Sequence, residues 1–210
     1  MPWSVREMPS EEARGKEVLM IKNILYIDSC VRQNSRTRRL AHHLLGKLEG
    51  RITTINLDEK RLSPHTCISL PERDSLISVC DFSSEYFNTA KEFANADTIV
   101  IAAPYWDMSF PASLKIYIEN IMVQGITFGY TEDGQPLGLC KAKELFYVST
   151  AGGPVVPNNE GYEYIKGLAN IYWGIEKTHI FQAESLDIVG ADVEAILAKT
   201  MHEIDVAMAK

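Results

Sequence analysis

Hydrophobic positions along the chain switch repeatedly between short uninterrupted runs and a helical spacing. Lys22–Asp28 (KNILYID) is a short apolar run ending in an acid and predicts a first strand. A polar loop, Ser29–Ser35, follows. Arg36–Leu48 then places Leu40, Leu44, Leu45 and Leu48 on one stripe and predicts a helix. Arg51–Leu57, with Ile52, Ile55 and Leu57, predicts a second strand. Asp58–Val79 carries Pro64 and Pro71 without a strong period and reads as a long excursion with room for a short helix. Phe82–Ala94 is helical by pattern. Thr98–Ala103 is apolar throughout, as suits a central strand covered on both faces. Ala112–Met122 predicts a helix behind Pro111. Gly125–Leu139, with its Asp133-Gly134 turn signal, predicts a small hairpin. Lys143–Thr150 and Glu176–Phe181 predict further strands. Tyr162–Tyr172 and Ala191 onward predict helices.

Strands alternating with helices imply an α/β protein, a doubly wound three-layer sandwich, and five strands with candidate ligand loops after the first, third and fourth fit a parallel sheet of order 2-1-3-4-5. Such sheets hold ligands outside the carboxyl ends of their strands, where the order reverses. Loops after the first, third and fourth strands are therefore the place to look for function.

Composition narrows the possibilities. The formal charge is -7, with 28 acidic against 21 basic residues, so a nucleic-acid surface has no compositional support. Four arginines fall within Arg32–Arg39 without a second basic cluster. No apolar run is long enough to span a bilayer. Residues 1–20 mix Glu, Arg, Lys and Pro ahead of any apolar stretch; they read as a disordered extension or an upstream start rather than a secretory signal, with the compact domain over 21–210. Cys30, Cys67, Cys80 and Cys140 show no metal spacing and read as reduced thiols of a cytoplasmic protein. His42, His43 and His179 have no metal-type neighbour at suitable spacing, and His65 and Cys67 form only one pair.

Three loops carry candidate chemistry. In the first, Ser35 and Thr37 supply hydroxyls and the early helix turn supplies free N–H groups, which together suit a phosphate. The loop has neither GxGxxG nor GK[ST], and simple helix capping by Asn34 or Ser35 is the competing reading. The second loop, Pro104-Tyr105-Trp106-Asp107-Met108, can flank a planar ring. The alternative is a core aromatic cluster. In the third, Thr150-Ala151-Gly152-Gly153, paired glycines permit close backbone approach, or simply a tight turn. A phosphate grip, an aromatic ledge and a glycine wall describe a site for a phosphorylated flat cofactor, and FMN fits it. The redox chemistry then belongs to the cofactor, and no catalytic side chain is required.

The loop Ser29-Cys30 through Ser35-Arg36-Thr37, the stretch APYWDMSFPASLKIYIENIM (Ala103–Met122), GITFGYTEDG (Gly125–Gly134) and STAGG (Ser149–Gly153) resemble the FMN-dependent NADH azoreductase and NADH:quinone oxidoreductase family, of flavodoxin-like fold. The resemblance implies that Cys30, Ser35, Arg36 and Thr37 hold the FMN phosphate, with Cys30 where a serine is usual. It implies that Tyr105, Trp106, Asp107 and Met108 border the ring, with Asp107 where an asparagine is usual. An ionised carboxylate cannot donate the asparagine's hydrogen bonds. Thr150–Gly153 fall at the pyrimidine end, and Ala151 lacks the family's arginine. The resemblance further implies a homodimer and ping-pong transfer from NADH or NADPH to a quinone or azo acceptor. Phe128 and Tyr130 would cover the partner's flavin; packing of the hairpin on its own subunit is the alternative. Asn158 and Glu160 would border the cofactor entrance. Other acceptors, such as nitroaromatics or metal ions, and a non-enzymatic electron carrier are the competing functions.

Overall fold

The computed structural model describes residues 21–60 and 62–209. The expected extension over residues 1–20 lies outside the described residues. Strands β1 (Asn23–Asp28), β2 (Arg51–Asn56), β3 (Thr98–Ala102), β6 (Glu144–Thr150) and β7 (Lys177–Ala183) form one parallel sheet in the order β2-β1-β3-β6-β7. Between β3 and β6 in sequence, β4 (Phe128–Tyr130) and β5 (Pro136–Gly138) pair as an antiparallel hairpin. Counted without that hairpin, the sheet has the expected 2-1-3-4-5 order. β1 and β3 form the centre, and the order reverses between them.

Side chains alternate across the sheet, and each face receives its own helices. On one face, α1 (Arg36–Leu45) and α7 (Val193–Met208) bury Leu40, Leu44, Leu197 and Ile204 against Tyr26, Val100, Phe146 and Val148. On the other, α4 (Asn88–Asn95), α5 (Ala112–Ile121) and α6 (Glu160–Leu168) bury Phe93, Leu114, Ile118 and Ile165 against Leu25, Ile27, Ile99 and Leu145. All five residues of β3 are buried, as its unbroken apolar run requires.

Several boundaries differ from the sequence pattern for identifiable reasons. α1 stops at Leu45, where the following N–H groups of Lys47 and Leu48 bond only three residues back, to the Leu44 and Leu45 carbonyls at 2.9 and 3.2 Å. Phe82–Ser84 stays outside the helix: Ser84 caps a 3-10 turn over Glu85–Phe87 that leads into α4. The excursion contains α2 (Leu57–Lys60) and α3 (Ser69–Ser78). Ile52 is exposed while Ile55 is buried, since positions three apart in a strand face opposite ways. α6 begins early, at Glu160, because Asn159 caps it by accepting from the Tyr162 N–H at 3.1 Å. It ends in a π-helical turn, Ala169–Trp173, closed by left-handed Gly174. A Cβ on Gly138 would lie 2.1 Å from the Gly174 nitrogen, so this backbone crossing requires glycine.

Candidate cofactor site at the carboxyl edge of the sheet

The loops after β1, β3 and β6 meet at the carboxyl edge of the sheet and enclose a cleft of about 330 Å3. Cys30, Ser35, Arg36 and Thr37 line it from the first loop. Pro104, Tyr105 and Trp106 line it from the second, and Thr150, Ala151 and Gly152 from the third. Ten of the positions expected at a cofactor are thus brought together. Asp107, Met108 and Gly153 lie next to it in sequence but outside its lining.

The first wall is the start of α1. Ser35 caps the helix, its hydroxyl oxygen accepting from the Arg38 N–H at 3.2 Å. That leaves the hydroxyl hydrogen free to donate. The N–H groups of Arg36 and Thr37 have no protein acceptor among the described residues, as the first turn of a helix dictates. Thr37 is buried, and its Oγ1 lies 2.6 Å from Thr150 Oγ1, which ties the first loop to the end of β6. Cys30 faces inward: its thiol points at the Ala102 carbonyl at 3.8 Å, and burial pushes it up to about 12. A protonated, buried thiol contributes packing rather than nucleophilicity.

The second wall contains a tight turn. Trp106 N–H donates to the Ser109 carbonyl at 3.1 Å and Ser109 N–H returns to the Trp106 carbonyl at 2.7 Å. Asp107 and Met108, with φ of 51° and 66°, take the left-handed conformation that a two-residue type I′ turn requires at both central positions. Left-handed backbone is uncommon for methionine, so this is a strained turn at the rim of a cleft. Its outcome is that the Asp107 and Met108 side chains are exposed and their N–H groups have no protein acceptor among the described residues.

The third wall is tied from behind. Tyr105 N–H donates to the Thr150 carbonyl and Ala151 N–H to the Ala183 carbonyl, both at 2.9 Å. The N–H groups of Gly152 and Gly153 are left unpaired among the described residues.

A fourth wall comes from the segment after the last strand. Leu186 and Asp187, after β7, also line the cleft. The Arg36 guanidinium reaches across to the Leu186 carbonyl at 3.3 Å and to Asp187 Oδ1 at 2.7 Å. A Cβ on Gly152 would come within 2.4 Å of Asp187 Oδ2, so glycine lets this acid close over the third loop. The available signal was positional: this segment leaves the carboxyl end of the last parallel strand, at the same edge as the others.

The basic cluster resolves into separate ion pairs. Arg36 meets Asp187, Arg38 meets Asp28, and Arg39 forms a two-bond pair with Glu194. Arg32 alone of the four makes no ion pair among the described residues.

The remaining expected positions lie elsewhere. Phe128 packs edge-on against Tyr130 and Tyr172, with ring centres 5.7 and 5.5 Å away, and borders a different hollow with Arg73 and Met122. Tyr130 is half exposed and Asn158 is exposed. Glu160, at the start of α6, borders a groove with Ser109, Phe110, Lys115 and Tyr164.

A doubly wound parallel sheet in this strand order, with a cleft at its switch point, is the flavodoxin-like arrangement. Residues 22–207 match the family described as flavodoxin-like fold, and the chain belongs to that family. Within it, the chain is similar to the FMN-dependent NADH:quinone oxidoreductase of Coprothermobacter proteolyticus, with 32% identity over 195 residues, 87% of this chain and 96% of that protein. It is 44% identical over 119 residues to FMN-dependent NADH:quinone oxidoreductase 2 of Clostridium acetobutylicum, a match spanning 54% of this chain and 58% of that one. The crystal structure of an FMN-dependent NADH-azoreductase from Bacillus anthracis in complex with FMN shares the fold, with a TM-score of 0.71, 23% identity and coverage of 90% and 98%. No helix among the described residues is long and apolar enough to cross a membrane.

Proposed function

We propose that this chain is an FMN-dependent oxidoreductase that passes two electrons from NADH or NADPH to a quinone or azo compound. The observation that carries the reading is one cleft with unpaired N–H donors at both ends and an aromatic wall between them. The residues fit the cofactor. The Ser35 hydroxyl, the N–H groups of Arg36 and Thr37, and the charges of Arg32 and Arg36 would hold its phosphate. Tyr105 and Trp106 would flank the ring. The N–H groups of Asp107, Met108, Gly152 and Gly153 would meet its heteroatoms, so the backbone can supply donors that the Asp107 carboxylate cannot. Bound FMN would supply hydride acceptance from the nicotinamide and electron delivery to the second substrate.

The protein's own contribution is position and charge. Thr37 and Thr150 hold the first and third loops together, and the strained turn fixes Trp106 at the rim. The name of the Coprothermobacter relative supports NADH and a quinone as substrates, and the resemblance supports ping-pong order. Exposed apolar side chains on the turn (Trp106, Met108) and hairpin (Tyr130, Leu137, Leu139) support a homodimer in which Phe128 and Tyr130 border the partner's site, with Asn158 and Glu160 near the entrance. Four unpaired cysteines support a reducing, cytoplasmic setting.

An absorbance titration tests the reading. Protein loaded with FMN is expected to bleach on anaerobic addition of NADH or NADPH and to recover colour on addition of a quinone, with parallel double-reciprocal plots in steady state. Failure to retain FMN refutes the cofactor assignment. Retention without nicotinamide bleaching favours the electron carrier.

A further inference from the structure

Beneath the cleft lies a side chain that none of the loop assignments uses. Arg38 sits one residue past the first hydroxyl pair, in the first turn of α1, yet its guanidinium turns back under the loop. Its Nε donates to Asp28 Oδ2 at 2.5 Å. Its two terminal nitrogens donate to three consecutive-loop carbonyls: Cys30 at 2.5 Å, Arg32 at 2.9 Å and Gln33 at 3.0 Å. Asp28 is buried at the end of β1, and its other oxygen accepts from the Cys30 N–H at 2.9 Å.

This arrangement decides which way the loop's peptide groups face. In a trans peptide the carbonyl of one residue and the N–H of the next point in opposite directions. Drawing the carbonyls of Cys30, Arg32 and Gln33 onto one guanidinium therefore turns the N–H groups of Val31, Gln33 and Asn34 away from it. None of those three N–H groups has a protein acceptor among the described residues, and Val31 and Asn34 line the cleft. A row of outward N–H groups is an anion-binding concavity. Other phosphate loops reach that shape with glycines, which this loop lacks between Ser29 and Thr37.

We propose that Arg38, held by Asp28, is a positioning residue that presets the first loop to bind the phosphate of the cofactor. It makes no contact with the phosphate; its charge is balanced by Asp28, and its contribution is orientation. The proposal rests on the FMN reading above and deepens it.

The test compares FMN with riboflavin, which shares the ring and lacks the phosphate. Both are titrated into apo full-length protein by fluorescence quenching, using the wild type, Arg38→Met and Arg38→Lys. Lysine keeps a positive charge beside Asp28 but cannot span three carbonyls and a carboxylate. Both variants are expected to bind FMN roughly tenfold to a hundredfold more weakly and riboflavin within about twofold of wild type, the scale of one or two lost charge-assisted hydrogen bonds. Amide hydrogen exchange across residues 30–37 of the ligand-free protein should also quicken in Arg38→Lys, with exchange in β3 and β6 unchanged. A merely stabilising arginine would weaken both ligands alike. An unchanged FMN-to-riboflavin ratio in Arg38→Lys overturns the proposal, whether or not Arg38→Met folds. If the wild type binds neither flavin, the proposed function falls, and unchanged loop exchange in Arg38→Lys then overturns the clamp independently.

Discussion

At the amino ends of the strands the backbone is tied down by charge, whereas at the carboxyl ends of the same strands it is left with donors unspent. The start of β1 donates its Asn23 N–H to Asp97 Oδ2 at 2.8 Å, and Lys141, before β6, meets Asp97 Oδ1 at 2.7 Å. Lys177 at the start of β7 lies 3.7 Å from Glu144 at the start of β6. Nearby, Trp173 is fully buried, packs against Phe93 with ring centres 4.7 Å apart, and turns its Nε1 toward the Met122 sulfur. The opposite edge spends its polar side chains holding loops in shape, with Arg38 under one and Thr37 against another, and leaves unpaired N–H groups along the cleft and a left-handed turn beside it. One edge of the sheet is tied down for stability, and the other keeps unpaired donors around a cleft, at some cost in stability.

The sharpest way to break this contrast is to damage each edge and ask which property fails. Trp173→Ala should destabilise the protein by about 3–5 kcal/mol, because a large buried ring leaves a cavity. The surviving folded fraction should bind FMN as before; a parallel loss of affinity in chemical denaturation and flavin titration would show that the two ends are not separable.

Replacing Ser35 and Thr37 together with alanine should do the reverse. FMN affinity should fall roughly tenfold to a hundredfold from the loss of phosphate donors, against about 1–2 kcal/mol of stability from the lost cap and the orphaned Thr150 hydroxyl. Unchanged FMN affinity by titration would remove the phosphate assignment.

Asp97 offers a smaller, pH-dependent effect. The Asn23 N–H, and then Lys141, hold its carboxyl below the usual carboxylate range. The folded state therefore favours the ionised form. That stabilisation is present above the unfolded value near 3.9 and is lost as pH falls through the lower folded value. Asp97→Asn should cost about 1 kcal/mol at neutral pH and flatten the acid limb of a Tm-versus-pH curve below about pH 4. An unchanged acid limb would show that the ion pair at this edge contributes nothing.

The last prediction needs no mutation. Cys30 lies at the carboxyl edge and Cys140 near the amino edge. Both are buried, and burial pushes both thiols up to about 12. Near pH 8 a thiol reagent should modify the exposed Cys67 and Cys80 quickly and these two only on unfolding. Faster labelling of Cys30 than of Cys140 would mean that the ligand edge is open through local unfolding and not through unpaired donors on a rigid frame.

The strands and most helices were legible because burial imposes a period on side chains; the alternation gives the doubly wound class, and the 2-1-3-4-5 order was one arrangement that fits it. The convergence of the loops after β1, β3 and β6 was legible for the same reason, since a parallel sheet brings its carboxyl ends to one edge. Less local features were hidden. Ser35 reads equally as a cap or a phosphate ligand, and it caps with its oxygen while keeping its hydrogen free. Asp107 is a common turn residue but Met108 is not, yet both enter the left-handed region because the hairpin-like closure between Trp106 and Ser109 requires it. Asp187 lies about 150 positions from Arg36 in sequence, so no local pattern could pair them.

The sequence alone determined the class of fold, the sheet edge at which the candidate loops meet and the residue types available there, because periodicity and turn chemistry act over a few neighbouring residues. Only the tertiary structure decided how those residues are used: which arginine braces the loop and which crosses the cleft, which N–H groups stay unpaired, and which acid closes the fourth wall. Those choices depend on distances between segments far apart in the chain, and such distances exist only once the sheet has brought the segments together.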